Sequence, residues 1–381
     1  MDRKKACMLI SNSFNPDNRV YRSAKALVDN GYEVSIICTL DSPDKLPGRE
    51  KIDGILVKRV THWLPLVPLK KKEYGFCKAF LKAAVDEKAD IYHANDFDTL
   101  LFGYRAAKKN NAKLIYDSHE YWRDKNWNLD GFWYRNLGKL YVKLLEPFLA
   151  RKADVVITVS DGIASQLKKD LNLNIRPMVI ANYINKQDVK KSDIVREKLK
   201  IPSKNNVIVY TGVVAKGRGL EKLIAATRFL PPNYTIVIIG HGNYRETLIE
   251  LVEKNIMGGR VKFINKIPYE KIVEYNSSAD VGVAPIQNIS FSYYHCAPNK
   301  ISEYIMSGIP IAVSNFPEMG KIVNKYKIGE TFDPEKPQDI AAAIMKVVAN
   351  KGKYGENLKK AAKELNWERE SRKLIKAYEQ I

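Results

Sequence analysis

The run YYHCAPNKISEYIMSGIPIAV, residues 293–313, constrains this chain more than any other stretch. It sets a proline-punctuated loop, a short helix and a buried strand in immediate succession. Pro298 suits a helix start, where its missing N–H removes no hydrogen bond, and Ile301, Tyr304 and Ile305 recur at helical spacing until Gly308 and Pro310 end the turn. The strand IPIAVS follows directly. A helix opening just past a strand end aims free backbone N–H groups and the positive end of its dipole at one spot, which suits a diphosphate. Lys300 adds a full charge there. Glu303, four residues after Asn299, offers a carboxylate that could accept two hydroxyl hydrogen bonds from a sugar ring. A solvated glutamate on an ordinary helix is the simpler account of the same residues.

Strands and helices alternate along the rest of the chain. ACMLIS, the loop NSFNPDN, a helix from about Arg19 to Asn30 and the strand YEVSIIC after Gly31 make a β-α-β opening, with Asp17 or Asn18 as the cap. ADIYHAND and AKLIYDSHE are two further buried strands around a helix from Asp98 to about Lys109. In open α/β sheets the carboxyl ends of the strands form the ligand crevice, so His93, Asn95, Asp96, Asp117, His119 and Glu120 are expected to point into it. A charged linker at residues 186–206 leads to a second series that starts at Val207. There Gly212, Gly217 and Gly219, with Lys216 and Arg218, form a basic turn where backbone can approach a phosphate, although surface turns carry such glycines too. A Gly-rich phosphate loop is absent from the first β-α-β unit, which weakens a dinucleotide-binding reading.

At 381 residues the chain accommodates two domains, each with its own core, and 45% hydrophobic content excludes wholesale disorder. A net charge of +20 attracts nucleic acid, anionic lipid or phosphorylated substrate, and composition does not choose among them. The basic residues are scattered, and no RRM, KH or zinc-finger pattern accompanies them, which argues against a nucleic-acid-binding protein. Cys7, Cys38, Cys77 and Cys296 lie far apart, so reduced thiols packed in strands are expected rather than a disulfide frame or a metal site. No apolar run reaches the ~18 residues of a membrane span, and the start is too short in apolar length for a signal peptide. A cytoplasmic protein is expected.

Two helices have a lipid alternative. Phe76, Cys77, Phe80, Leu81 and Ala84 share one face opposite Lys71, Lys78 and Lys82, near Trp63, Leu64, Leu66 and Leu69. Such a helix lies either on an anionic membrane surface or with its apolar face in the core. Leu137, Tyr141, Leu144, Leu145 and Phe148 make a second stripe, read as core, while Trp122, Trp127, Phe132 and Trp133 before it suit an acceptor site or lipid.

PNKISEYIMSGIPIAVS resembles the PNKxxEYxxxGxPV segment of GT-B glycosyltransferases of the large retaining group 1, family-4-like class. DNRVYRSAKALVDNGYEVSII, YDSHEYW, ADVVITVSDGIA, VIANYIN and the region of Trp367 also resemble segments of that family, in order along nearly the whole chain. The resemblance implies two Rossmann-like, doubly wound α/β domains facing each other across a cleft: an acceptor-binding domain at 1–188 and a nucleotide-sugar-binding domain at 189–365. A terminal helix at 366–381 crosses back to the first domain. It implies transfer of a sugar, with retention, from a nucleotide-diphosphate sugar with a UDP head to a glycan or lipid-linked acceptor, without cofactor, metal or protein base.

The same resemblance assigns residues. Arg218 and Lys300 stabilise the departing diphosphate, Glu303 binds the ribose and His119 lies near the donor sugar. Gly212, Lys216, Gly217, Pro298 and Asn299 frame the phosphates, and Gly240, Gly242, Lys266 and Ile267 border the base. Asn15, Arg19, Asp96 and Glu120 face the acceptor or the cleft. Two departures stand out. The glycine loop is one residue shorter than in the family, with Arg218 in the lysine place and Val213 where an arginine is frequent. His295 replaces a glutamate that touches the transferred sugar. An epimerase of the same fold would share the nucleotide site, with His119, Glu120 and His295 as its acid and base groups.

Overall fold

The computed structural model describes every residue except 1–2, 16, 41–45, 62–63, 66–70, 125–131, 189 and 256, and the side chains of 132–136. Trp63, Leu66, Leu69 and Trp127 therefore lie outside the described residues, as do the side chains of Phe132 and Trp133. The chain divides into an N-terminal unit, Met1–Ala181 with Glu370–Ile381, and a C-terminal unit, Asn182–Arg369.

The N-terminal unit opens with β1 (Lys5–Leu9), α1 (Asn18–Asp29), β2 (Glu33–Thr39), β3 (Arg49–Ile52) and β4 (Ile55–Thr61). It continues through α2 (Lys71–Asp86), β5 (Ile91–Asn95), α3 (Phe97–Asn110), β6 (Lys113–Ser118) and α4 (Phe132–Ala150). β7 (Val155–Thr158), α5 (Asp161–Asp170) and β8 (Met178–Val179) complete it. The sheet order is β3-β4-β2-β1-β5-β6-β7-β8, parallel except for the β3–β4 edge hairpin. Continuous apolar runs such as residues 6–9 and 91–94 are buried on both faces, as a parallel sheet covered by helices requires. Asn95 is in register with Asp117, so the polar ends of β5 and β6 lie side by side.

The C-terminal unit begins with α6 (Ile194–Leu199), β9 (Asn206–Thr211), α7 (Leu220–Ala226), β10 (Tyr234–Ile239), α8 (Arg245–Lys254) and β11 (Val261–Ile264). The second half starts with α9 (Ile272–Ser277), β12 (Val281–Ala284), α10 (Phe291–Tyr294), α11 (Asn299–Met306) and β13 (Ile311–Ser314). α12 (Pro317–Tyr326), β14 (Gly329–Phe332), α13 (Pro337–Ala349) and α14 (Gly355–Glu364) follow. The last helix, α15 (Trp367–Glu379), starts in this unit and ends in the first. The all-parallel order β11-β10-β9-β12-β13-β14 reverses its direction of growth between β9 and β12. That switch point is where doubly wound sheets hold ligands.

Two expectations about helix faces resolve differently. α2 turns Phe80 and Ala84 inward and packs on α3, with Phe80 against Phe102 at 5.3 Å, so these two belong to the core while Phe76, Cys77 and Leu81 of the same face are half-buried. α4 corrects the sequence reading. Its buried row is Gly138, Val142, Glu146 and Leu149, whereas Leu137, Leu144 and Phe148 are exposed and Tyr141 and Leu145 half-buried. The inner row can carry a carboxylate because Glu146 accepts a hydrogen bond from the Tyr116 hydroxyl at 2.7 Å and has Arg123 at 3.5 Å. Burial lifts its carboxyl to about 7, only partly offset by these two partners. Among the cysteines, Cys7 and Cys38 are buried in strands, but Cys77 lies in α2 and Cys296 in a loop; all four are free.

Candidate functional site

The C-terminal unit gathers its candidate residues at the switch point. α11 is pinned there by Tyr304, whose hydroxyl donates to the carbonyls of Val209 (3.3 Å) and Val283 (3.1 Å) and accepts from the Thr211 N–H at 3.1 Å. One side chain thus ties the helix to both strands flanking the reversal. Gly282 makes the room, since a Cβ at that position would lie 2.4 Å from the Tyr304 ring. The helix begins at Asn299 with Pro298 as its cap in extended conformation, one residue later than the sequence suggested. Proline before the first turn still suits the geometry, because that position's N–H has no partner inside the helix.

Three loops press together beside this helix. Gly240 has φ of +146° and a Cβ there would sit 1.9 Å from the Gly212 carbonyl oxygen; Gly242, at +156°, would meet the Val214 carbonyl at 2.0 Å. Only glycine allows this approach. The Gly212 N–H donates to Ile239 and the Val214 N–H to His241, which locks the turn after β9 onto the turn after β10. Lys266 and Ile267 lie in the loop after β11, Lys266 exposed and Ile267 half-buried.

Two cations lie beside these loops. Lys300 is buried, its ammonium 3.9 Å from the centre of the Tyr210 ring, and a methyl group at Gly212 would touch that ammonium at 3.4 Å. The guanidinium of Arg218 lies 4.8 Å from the Tyr293 ring, and its buried Nε has no hydrogen-bond partner. Neither cation belongs to an ion pair among the described residues. Burial, and then the Arg218 charge, pull the Lys300 ammonium down to about 7 against the opposing pull of Glu303. An anion arriving beside Lys300 would favour its ammonium form. Lys216 is exposed on the same turn, and Glu303 is buried midway along α11.

The N-terminal unit assembles a different constellation at the ends of β5 and β6. Arg19, in the first turn of α1, donates through Nη2 to both Asp117 oxygens at 3.0 Å and through Nη1 to the Ile180 carbonyl at 3.2 Å. Asp17 caps that helix by accepting from the Val20 N–H at 3.1 Å. His119 places Nε2 3.3 Å from Asp117 and Nδ1 3.5 Å from Asp96. Asp96, at a φ of +68°, also accepts from the His119 N–H and the Trp122 indole. Burial opposes charge on both partners, but Arg19 and His119 hold the Asp117 carboxyl well below the usual range, and Asp117 with Asp96 raises His119.

Not every residue expected in a crevice is there. His93 is fully buried, its Nδ1 2.8 Å from the Tyr378 hydroxyl of α15, and Asn95 spends its amide on the Leu9 carbonyl at 3.1 Å. Both are corrections to the expectation that they face the ligand crevice; parallel strands buried on both faces draw their last residues inward too. Asn15 and Glu120 are exposed.

Residues 17–188 match the family described as Glycosyltransferase Family 4, and residues 191–365 match that described as Glycosyl transferases group 1. The chain is a group 1, family-4-type glycosyltransferase. A relative of this glycosyltransferase, described as an uncharacterized glycosyltransferase of Methanocaldococcus jannaschii, is 24% identical over 86% of the chain and 84% of its own length. Among solved structures, sucrose-phosphate synthase from Thermosynechococcus elongatus matches with a TM-score of 0.78 at 20% identity, covering 99% of each chain. The Anabaena protein HepE, solved in complex with UDP and glucose, matches at 0.75 and 16%, covering 100% of each. These likenesses establish the GT-B type of the two α/β domains.

Two aromatic supports of the glycosyltransferase site were missed by sequence reasoning. Tyr293 and Tyr210 carry the two cations, and an aromatic that serves as a seat for a cation has the same sequence signature as one in the core. His295 caps α10, its ring 4.3 Å from Phe291 and 5.0 Å from Tyr294. Burial lowers its pKa, with Glu318 opposing, and its buried Nδ1 has no partner.

Proposed function

We propose that this glycosyltransferase takes its sugar from a nucleotide-diphosphate sugar with a UDP head, and that the turn after β9 and the start of α11 receive the diphosphate. The observation that carries the reading is the pair Arg218 and Lys300, two cations near enough to repel each other and each seated on an aromatic face. The complex of the HepE structure with UDP and glucose supports the same donor class. In this reading Arg218 and Lys300 stabilise the leaving diphosphate, with the amides at Asn299 and the backbone around Gly212 and Gly217 beside them. Glu303 binds the ribose, while Gly240, Gly242, Lys266 and Ile267 border the base.

Transfer proceeds with retention, the acceptor approaching the face from which the leaving group departs, and requires neither metal nor protein base. The N-terminal unit receives a glycan or lipid-linked acceptor, and the protein works at an anionic membrane surface. Thermal denaturation with a panel of sugar nucleotides tests the donor. A saturating UDP-sugar is expected to stabilise the fold by roughly 2–4 kcal/mol. No shift with any sugar nucleotide overturns the assignment. Unchanged turnover in the presence of a chelator, and NMR of the product anomer, test metal independence and retention.

A further inference from the structure

The outward face of α4 has an unusual composition for a helix of a globular unit. Its exposed described positions are Leu137, Lys139, Leu140, Lys143, Leu144 and Phe148, every one either large and apolar or a lysine. The relative exposures are 49% for Leu137, 51% for Leu140, 66% for Leu144 and 47% for Phe148, so these are not edges of the core. With Tyr141 and Leu145 the apolar four line a shallow, almost wholly apolar depression of about 480 Å³. The helix's one acidic residue, Glu146, is turned fully inward on Tyr116.

The apolar strip does not stop at the end of the helix. Phe148 also lines a second cavity, of about 680 Å³, together with Arg151, Lys152, Arg176 and Ile175. Ile175 is 82% exposed, and the Lys152 ammonium lies 5.9 Å from the Phe148 ring centre. Apolar side chains standing out of a basic border match an amphipathic helix lying in a lipid interface, with its lysines at headgroup level.

We infer that the outward face of α4, continued through Phe148 to Ile175, docks on an anionic lipid bilayer. A second copy of the chain is the poorer occupant. Two such faces would bring Lys139 and Lys143 of one copy against lysines of the other, on a chain whose net charge is already +20. A bilayer carrying anionic headgroups complements both the strip and its border. This docking face rests on the membrane part of the proposed function and moves it from α2, whose apolar side is buried or half-buried, to α4. It is independent of the donor assignment.

Co-sedimentation of the full chain with vesicles of phosphatidylcholine, with and without phosphatidylglycerol, tests it. The parent is expected to pellet with the anionic vesicles and to be released by salt. Leu144→Asp with Phe148→Ser should lower bound protein at least about tenfold, and Lys139→Glu with Lys143→Glu by a similar factor. Both variants alter exposed positions, so an unchanged melting midpoint and unchanged UDP-glucose binding should accompany the loss. A parent that pellets with neither vesicle overturns both the docking face and the membrane reading, and leaves the donor assignment to its own test. Variants that pellet like the parent, with binding lost instead in Lys71→Glu, Lys78→Glu and Lys82→Glu, overturn the α4 face alone. A parent dimer in light scattering that Leu144→Asp dissociates gives the face to a second copy and overturns the lipid assignment.

Discussion

Arg19 and Arg218 hold comparable places, each following the first strand of its unit, yet one is bonded to a buried carboxylate and the other is stacked on an aromatic ring. Arg19 bonds both oxygens of Asp117 and the Ile180 carbonyl from a buried position. Arg218 rests on the face of Tyr293, beside a buried lysine, and the Nε of both arginines lacks a partner. A buried cation paired with a buried anion holds elements together, because removing it strands that anion. A cation resting on an aromatic ring keeps its donors for something else. By this comparison the N-terminal cluster is chiefly architecture that orients His119, and the C-terminal cluster is arranged to receive negative charge.

The largest expected effect tests the ion-paired side. Arg19→Leu should cost about 3–5 kcal/mol in urea denaturation by removing the bidentate partner of the buried Asp117. If stability hardly moves, the pair is not structural and the contrast collapses. On the stacked side, Arg218→Ala should leave folding nearly unchanged and lower kcat about 100-fold, as loss of a donor to a developing oxyanion does. A raised donor KM with kcat unchanged would mean that Arg218 binds ground state and transition state alike.

A smaller effect sharpens the site's inner wall. Glu303→Gln should weaken UDP and UDP-sugar equally, by about ten- to a hundredfold, roughly 1.4–2.8 kcal/mol, since both ligands carry the ribose whose hydroxyls the carboxylate accepts from. His295→Ala should weaken only the intact donor. Equal loss of UDP by the histidine variant would reassign that ring from the sugar to α10 packing.

The smallest concerns pH. The fold lowers the Lys300 pKa from its ordinary 10.5 to about 7, so between those values the unfolded chain binds the extra proton. Stability of the ligand-free protein should therefore rise with pH through that window, and Lys300→Met should flatten the rise in thermal midpoint. A bound diphosphate favours the ammonium, so donor binding should take up a proton and weaken about fivefold between about pH 7 and 8. Calorimetry in buffers of different ionisation enthalpy reads the uptake directly, and none would show that Lys300 is charged before the donor arrives.

Strands, helices and their order were legible because both signals are local. β9 and β10 are unbroken apolar runs, and Asp17, Gly31 and Pro298 punctuate the chain through their own backbone chemistry. The candidate residues Lys300 and Glu303 were named through one short motif, and Arg218 through the resemblance of a separate glycine loop. Their aromatic seats, Tyr210 and Tyr293, were not, since a ring beneath an ammonium and a ring in a core look alike along the chain.

What the sequence determined by itself is therefore the pair of doubly wound units and the residue types available at their strand ends. Tertiary structure alone decided which cation pairs with an acid and which rests on a ring, because that depends on neighbours distant in sequence: Asp117 for Arg19, Tyr210 and the Gly212 turn for Lys300. It also decided which stripe of α4 faces in. Periodicity marks two rows on that helix, and the choice went to the one where Glu146 finds Tyr116 and Val142 and Leu149 find the core, leaving four large apolar side chains in water.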